Sequence, residues 1–406
     1  MNWAIVIVGL VLIVLVHELG HFTMALAVGI RPRSFYVGFP PALVKVRRKG
    51  IEYGIGAIPL GGLVRIPGMH KLAGHDVTSF MGPAMREEPG LSAAVQRVRR
   101  LVDAEDYPGA RAALPELRSE IEAATLTPAA RRSAERALRE LDEGTGADAY
   151  WRQPAYKRIL VIGAGPAANI LCAIVIFFAV YTTGAPSGNP STKVGEVDSG
   201  MPAAVAGLQP GDRVVAVDGK ATPTFDRISQ LIRGSHGRPI TVTVDRGGTT
   251  LTLGPERTVR EGDRWIWGFV PAATLAKYSV AHSARLAITD VWRVVAGTVG
   301  ALTSVFRGHP KGQLTSTVGI VRISAAALKV SFNWYLQIVG LVSLSVALLN
   351  LLPLLPLDGG HILFTLIETV RRRALAREVY ERVSVVGFAL IMLLMVIAFS
   401  TGNNPQ

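Results

Sequence analysis

Four apolar stretches organise this chain: Ala4–Ile30, Ile159–Thr183, Trp334–Leu357 and Val383–Ser400. A helix needs ~20 apolar residues to cross a bilayer, so the pattern predicts about four transmembrane helices. After the first stretch the period changes. Ile51, Tyr53, Ile55 and Ala57 alternate with Glu52, Gly54 and Gly56, which predicts pleated strands over Phe35–Ile66. Residues 70–150 are rich in Ala, Arg and Glu. Helical runs are expected at Ser92–Glu105, Ala110–Ala124 and Pro128–Glu143, with Pro128 in a first turn after Thr127. Alternation returns at Arg213–Val217, Ile240–Val244 and Thr249–Leu253, around a tight turn at Asp218-Gly219 and a helix at Ile228–Ile232. Ser283–Val305 has a helical pattern carrying Arg285, Asp290 and Arg293, so it is expected to lie along the outer surface rather than to span. A further amphipathic segment is expected from Thr317-Val318-Gly319-Ile320.

Composition agrees with a membrane protein: 49% of residues are hydrophobic. The net charge of +13 could point to nucleic acid, but the chain has no basic-aromatic module, and its charges cluster beside the apolar stretches. Arg31, Arg33, Lys45, Arg47, Arg48 and Lys49 follow the first, Lys157 and Arg158 precede the second, and Arg371, Arg372, Arg373 and Arg377 separate the last two. By the positive-inside rule these clusters are cytoplasmic. Both termini and residues 184–333 are then outside. No Lys or Arg precedes the first apolar run, so a retained span is expected rather than a cleaved signal peptide. Cys172 is the single cysteine, which excludes an intramolecular disulfide and a cysteine zinc site.

From Ala4 to Ile30 the only ionisable residues are His17, Glu18 and His21. They form an H-E-x-x-H motif, which on a helix puts two imidazoles on one face with a Glu between them. Two His ligands suit Zn²⁺, and the Glu suits a general base for hydrolysis. The competing reading is a chance match in a membrane helix. In Ile58-Pro59-Leu60-Gly61-Gly62-Leu63-Val64 the double glycine permits a sharp turn or a close backbone approach. Such a segment could dip into the bilayer and offer an edge to an extended substrate, or be an ordinary hairpin. Pro353 and Pro356 break the third span just before Asp358. Asp358 can be a third metal ligand or can cap the broken helix; His361 competes for the ligand role. Asn169, in Gly163-Ala164-Gly165-Pro166-Ala167-Ala168-Asn169, reads as polar glue between helices rather than a contact to the metal residues. His70 and His75 read as solvated.

The run Ala206-Gly207-Leu208-Gln209-Pro210-Gly211-Asp212 resembles that of a bacterial-protease PDZ domain, covering residues 191–271. That resemblance implies peptide binding by strand addition, or a size-excluding plug over the active site. The chain as a whole resembles the intramembrane site-2-type zinc metalloproteases, close to the regulator-of-sigma-E protease branch. The residues that carry this are His17–His21, Pro59-Leu60-Gly61-Gly62, Gly165-Pro166-x-x-Asn169 and Asn350-x-x-Pro353-x-x-Pro356-x-Asp358-Gly359. The resemblance implies one Zn²⁺ on His17, His21 and Asp358, with Glu18 as the base. It implies substrate contacts at Asn350, Pro59, Gly61 and Gly62. It also implies cleavage of a single-span membrane protein, such as an anti-sigma factor, inside its membrane helix, and no nucleic-acid partner. Leu63 departs from the aromatic usual after Gly-Gly, the insert at 70–150 is not a general family feature, and the Thr317–Ile320 stretch lacks a Gly-Pro pair.

The expected fold is an α-helical polytopic membrane protein with a re-entrant β-segment and one extracytoplasmic PDZ-like α/β domain. Its parts are a first span with the motif (1–30), a β-segment on the cytoplasmic side (31–69), a cytoplasmic helical insert (70–156) and a second span (157–184). The PDZ-like domain (191–271) follows, then an amphipathic segment (272–333), a third span with the Asp (334–360) and a fourth (383–401). The active site is expected near the cytoplasmic face of a bacterial plasma membrane. One rival is a non-enzymatic scaffold that binds extracytoplasmic C-termini through the PDZ-like domain. The other is a membrane zinc protease with a soluble chamber and Glu368 as third ligand.

Overall fold

The computed structural model describes residues 2–186, 190–262, 264–272, 275–306, 324, 327–328, 331–375 and 377–402. The chain opens on α1 (Asn2–Ala27), whose residues are apolar on every side from Trp3 to Val16. Two long strands follow, β1 (Ser34–Arg48) and β2 (Ile51–Arg65). Lys49 and Gly50 turn between them with φ of 50° and 81°, as two-residue hairpin turns require. Each strand bends midway, so the pair makes a sheet of four segments. Residues 34–37 lie between 52–55 and 62–65, while 42–48 pair with 51–56. The segment ending at 62–65 is therefore one edge. At the far end Phe39, Leu43, Val44, Val46, Ile55 and Ile58 are exposed, an apolar patch of the kind that lipid or a partner covers.

The insert is a bundle of α2 (Gly74–Glu87), α3 (Ser92–Asp103), α4 (Tyr107–Ala123) and α5 (Pro128–Thr145). It has its own core, including Val77, Met81, Val95, Leu117 and Leu141. The Asp106 carboxylate accepts from the Gly109 N–H at 2.9 Å and the Thr127 hydroxyl from the Ala130 N–H at 3.3 Å, capping α4 and α5. α2 is not among the helical runs expected from sequence; Gly82 and Pro83 lie inside it. His70, expected to be solvated, is instead packed on Tyr380 with ring centroids 4.5 Å apart. Its Nδ1 is buried and lacks a hydrogen-bond partner. His75 is exposed.

α6 (Ala155–Thr183) runs back along α1. Beyond it, a small α/β unit carries a sheet in the order Lys220–Ala221, Arg213–Val217, Pro239–Arg246, Thr249–Arg257. Two helices accompany it, α7 (Pro202–Val205) and α8 (Phe225–Arg233). Val214, Val217, Ile228, Val242 and Trp267 fill its core. The Ala206–Asp212 run is held by Arg246, which donates to the buried Asp212 carboxylate at 2.7 and 2.8 Å and to the Gly207 carbonyl at 2.7 Å.

α9 (Val280–Phe306) covers the helix expected along the outer surface. It packs against α6: Ala287 and Val291 are buried with Ala173 and Phe177, and the Tyr181 hydroxyl donates to Asp290. Asp290, one of the three charges on this helix, also accepts from Arg293. Thr317–Ile320 lies outside the described residues.

α10 (Phe332–Asn350) stops before the two prolines, and Asp358 is the first residue of a separate helix, α11 (Asp358–Arg371). The third span expected at 334–360 is thus shorter as a helix, because Pro353 and Pro356 cannot continue the ladder. α12 (Arg377–Gly402) contains Val383–Ser400; some of its C-terminal side chains lie outside the described residues. Among the described residues, three helices are long and apolar enough to cross a membrane, at Ala4–Ala27, Ala155–Thr183 and Phe332–Asn350.

The base of α6 is tied to α11 by a buried ion pair. Arg158 donates to Glu368 at 2.6 Å, and the second Glu368 oxygen accepts from the Leu375 N–H at 2.8 Å. Glu368 is therefore consumed structurally and is not part of the histidine cluster. Removing one partner of a buried pair leaves an uncompensated charge, which costs about 3–5 kcal/mol. Glu368→Ala is expected to lower thermal stability in detergent by that amount, read from the unfolding midpoint. Burial, reinforced by the nearby His361, pushes the His70 imidazole from 6.5 down to about 4. The unfolded chain then takes up this proton first, so stability is intact above pH 6.5 and lost as pH falls towards 4. At about 1.4 kcal/mol per unit, the loss is on the order of 3 kcal/mol. His70→Phe is expected to flatten the acid limb of a melting-versus-pH curve.

Candidate metal centre

His17 and His21 stand one turn apart on α1 and are both buried. Their side chains can face α6 only because that helix comes very close. A Cβ added at Gly20 would strike the Ala164 carbonyl, and one at Gly165 would overlap the His21 ring. Small residues at such positions let helix backbones approach within a membrane.

The break after α10 brings Asp358 to the same place. His17 Nε2 lies 3.2 Å from Asp358 Oδ2, His21 Nε2 lies 3.4 Å from it, and the two Nε2 atoms are 3.2 Å apart. Four ligands in a tetrahedron around Zn²⁺ at ~2.0–2.1 Å stand about 3.3 Å from one another. The three atoms therefore have the spacing of three corners of a zinc site. Asp358 Oδ2 is buried and, beyond these two close nitrogens, meets no donor in hydrogen-bonding geometry, which fits a metal-donor oxygen. No other group of three His, Cys, Asp or Glu side chains among the described residues could hold a metal in this way.

The outer nitrogens of the imidazoles also have partners. His21 Nδ1 is 2.9 Å from the Val161 carbonyl; donating there leaves Nε2 free to bind metal. Asn169, fully buried, places Nδ2 3.5 Å from His17 Nδ1, while its Oδ1 has no partner. The two ends of an amide exchange by a half-turn. With the amide turned, Oδ1 accepts from the His17 Nδ1–H, and the orphaned oxygen is satisfied. The Ser343 hydroxyl donates to the Asn169 main-chain carbonyl at 3.0 Å and steadies this part of α6. Asn169, read from sequence as helix glue, thus also touches the histidine pair. The signal was its spacing: Gly165 and Asn169 are four residues apart, so they share a helix face.

Glu18 sits beside the histidines, half-buried, where β2 passes. A Cβ on Gly62 would come within 2.6 Å of Glu18 Cγ, so only glycine lets the strand run this close. The Val64 N–H faces the Glu18 carboxylate. Gly61 packs on Phe39 with φ of 132°. Pro59 lies in the same strand, and its side chain is outside the described residues. Asn350 ends α10, where its amide donates to the Val346 carbonyl at 3.0 Å; it makes no hydrogen bond to the histidines or Asp358. His361 turns away and stacks on Tyr380 at 6.2 Å.

A sequence profile described as peptidase family M50 matches residues 5–394. Zinc metalloprotease RasP of Geobacillus kaustophilus is 31% identical, over 97% of this chain and 95% of its own. Metalloprotease MmpA of Caulobacter vibrioides is 27% identical, over 95% of this chain and 91% of its own. A protein of Enterococcus faecalis named probable protease eep is 26% identical, over 97% and 96%.

Partners that orient a metal-binding histidine are worth 10–100-fold in metal affinity. Asn169→Ala is expected to weaken zinc binding by about that factor, measured by competition with a chromophoric chelator.

Proposed function

The chain belongs to peptidase family M50 and is a zinc metalloprotease, and from that premise we propose that it cleaves single-span membrane proteins within their membrane-spanning segment. An anti-sigma factor is the type of substrate this reading favours, cut in regulated intramembrane proteolysis. One observation carries the proposal: the three-donor cluster of His17, His21 and Asp358 lies between candidate spans, with Glu18 between the cluster and a strand edge.

His17, His21 and Asp358 would hold one Zn²⁺. When bound, zinc acts as a Lewis acid towards the scissile carbonyl and promotes deprotonation of water. Glu18 is the general base that accepts the proton and later delivers it to the leaving amine. A substrate helix hides its amides in its own ladder and must unwind before attack. Among the described residues no strand pairs with the outer side of residues 62–65, where the unwound segment could be held as strand addition does elsewhere. Gly62 keeps that edge close to Glu18. Asn350 would reach the substrate by releasing the Val346 carbonyl.

The exposed apolar end of the β1–β2 sheet supports a β-segment that dips into the bilayer from the cytoplasmic side. We place the protein in a bacterial plasma membrane with four spans, α12 being the fourth, and both termini outside. The unit at 191–271 is then extracytoplasmic and PDZ-like. It serves as a binding site for a peptide or substrate ectodomain, or as a gate by size.

General-base catalysis typically contributes 10²–10⁴-fold. Glu18→Gln is expected to reduce cleavage of a co-expressed single-span substrate by at least a hundredfold while the purified chain keeps one zinc. Persistent cleavage with zinc retained would overturn the assignment.

A further inference from the structure

The β1–β2 sheet rests on α1 at two points. At one, Gly62 lies against Glu18 Cγ. At the other, one helical turn on, the buried Phe22 ring meets Phe35 with centroids 5.0 Å apart and Tyr53 with centroids 5.9 Å apart, both edge to face. Residues four apart share a side of a helix, so Glu18 and Phe22 both face the sheet. The register puts the two contacts on one sheet face. Phe35 pairs with Tyr53 on one side and with Val64 on the other, and two residues along, Val37 pairs with Gly62. Positions two apart in a strand point the same way. The Phe35 and Tyr53 rings therefore stand on the face that Gly62 turns towards Glu18.

The two contacts act in opposite senses. Gly62 has no side chain, so the strand can drop onto Glu18. Phe22 and the rings it meets are bulky, so they limit how far it drops. Phe35 is also the direct cross-strand neighbour of Val64, whose N–H faces the Glu18 carboxylate. A shift at the Phe22–Phe35 contact is thus passed one strand over to residues 62–65, the sheet edge beside the general base.

We infer that Phe22 is a positioning residue for the hydrolysis. With Phe35 and Tyr53 it sets the gap between Glu18 and the 62–65 edge, and so the place where a chain added to that edge presents its carbonyl. Phe22 acts through the strand and not on the substrate. The inference rests on the reading of that edge as the seat of the unwound substrate. A misplacement of about 1 Å in a reacting geometry can cost about a hundredfold in rate, and truncating the ring to a methyl removes the spacer.

The test gives the full zinc-loaded chain in detergent a purified single-span substrate and measures kcat and KM separately. Phe22→Ala is expected to lower kcat by about tenfold to a hundredfold, with KM within about threefold of the native value and one zinc retained. Tyr53→Ala should lower kcat in the same sense, while Tyr53→Phe, which keeps the ring, should stay within about twofold of the native chain. The double variant Phe22→Ala, Tyr53→Ala should lose less than the product of the two single losses, because both remove one contact. The Tyr53 variants decide the matter if Phe22→Ala does not fold. An unchanged kcat in Phe22→Ala, a loss confined to KM, single losses that multiply fully, or a Tyr53→Phe chain as slow as Tyr53→Ala overturns this inference and leaves cleavage within the membrane segment standing. Loss of zinc together with kcat traces the effect to the metal donors and overturns it too. A native chain that holds zinc yet leaves the substrate intact overturns the cleavage reading, and this inference falls with it.

Discussion

The close approach of α1 and α6 is the constraint on which the site depends. Two imidazoles inside an apolar helix pair must satisfy four ring nitrogens where water is scarce. The inner pair faces Asp358. The outer pair needs acceptors, and α6 offers them as the Val161 carbonyl and the Asn169 amide. Both come within reach only because Gly20 and Gly165 have no side chains to hold the helices apart. A larger residue at either position would separate the backbones and leave buried polar groups unpaired, each costing about 1–3 kcal/mol.

Asp358 reaches the histidines by a different device. α10 stops at Asn350, the two prolines redirect the chain, and α11 starts with the carboxylate itself. A short helix with a free end would wander. α11 is pinned ten residues further on, where Glu368 meets Arg158 at the base of α6. The same helix, α6, therefore holds the histidines near its middle and the far end of the aspartate helix at its start.

Much of this is legible in the sequence, and the exceptions share a cause. The H-E-x-x-H spacing and the insert helices α3 to α5 rest on local rules: helical period, and caps at Asp106 and Thr127. The break before Asp358 is equally local, since proline acts on its own neighbours. What escaped depends on distant partners. His70 looked solvated because nothing near it in sequence foretells Tyr380. Arg158 and Lys157 read as topology signals, yet Arg158 is buried against Glu368 and Lys157 donates to the Val28 carbonyl at 2.8 Å. Asn169 looked like packing polarity because its contact to His17 depends on how α6 is rotated against α1. The two expected substrate contacts divide in the same way: Gly62 on β2 is placed against Glu18 by tertiary packing, whereas Asn350 at the end of α10 stays bonded within its own helix.

The donor cluster is also split unevenly along the chain, with two members near its start and the third beyond the second proline of the α10–α11 break. A ribosome completes α1, β1, β2, the insert, α6 and the 191–271 unit before it adds Asp358. Glu368, which anchors the last element, comes later still. The nascent polypeptide thus spends most of its synthesis in the membrane with only two of the three donors in hand. A product truncated anywhere before Asp358 lacks the carboxylate altogether. The order of residues therefore completes the donor cluster only in the final stretch of translation, after the elements that surround it have been made.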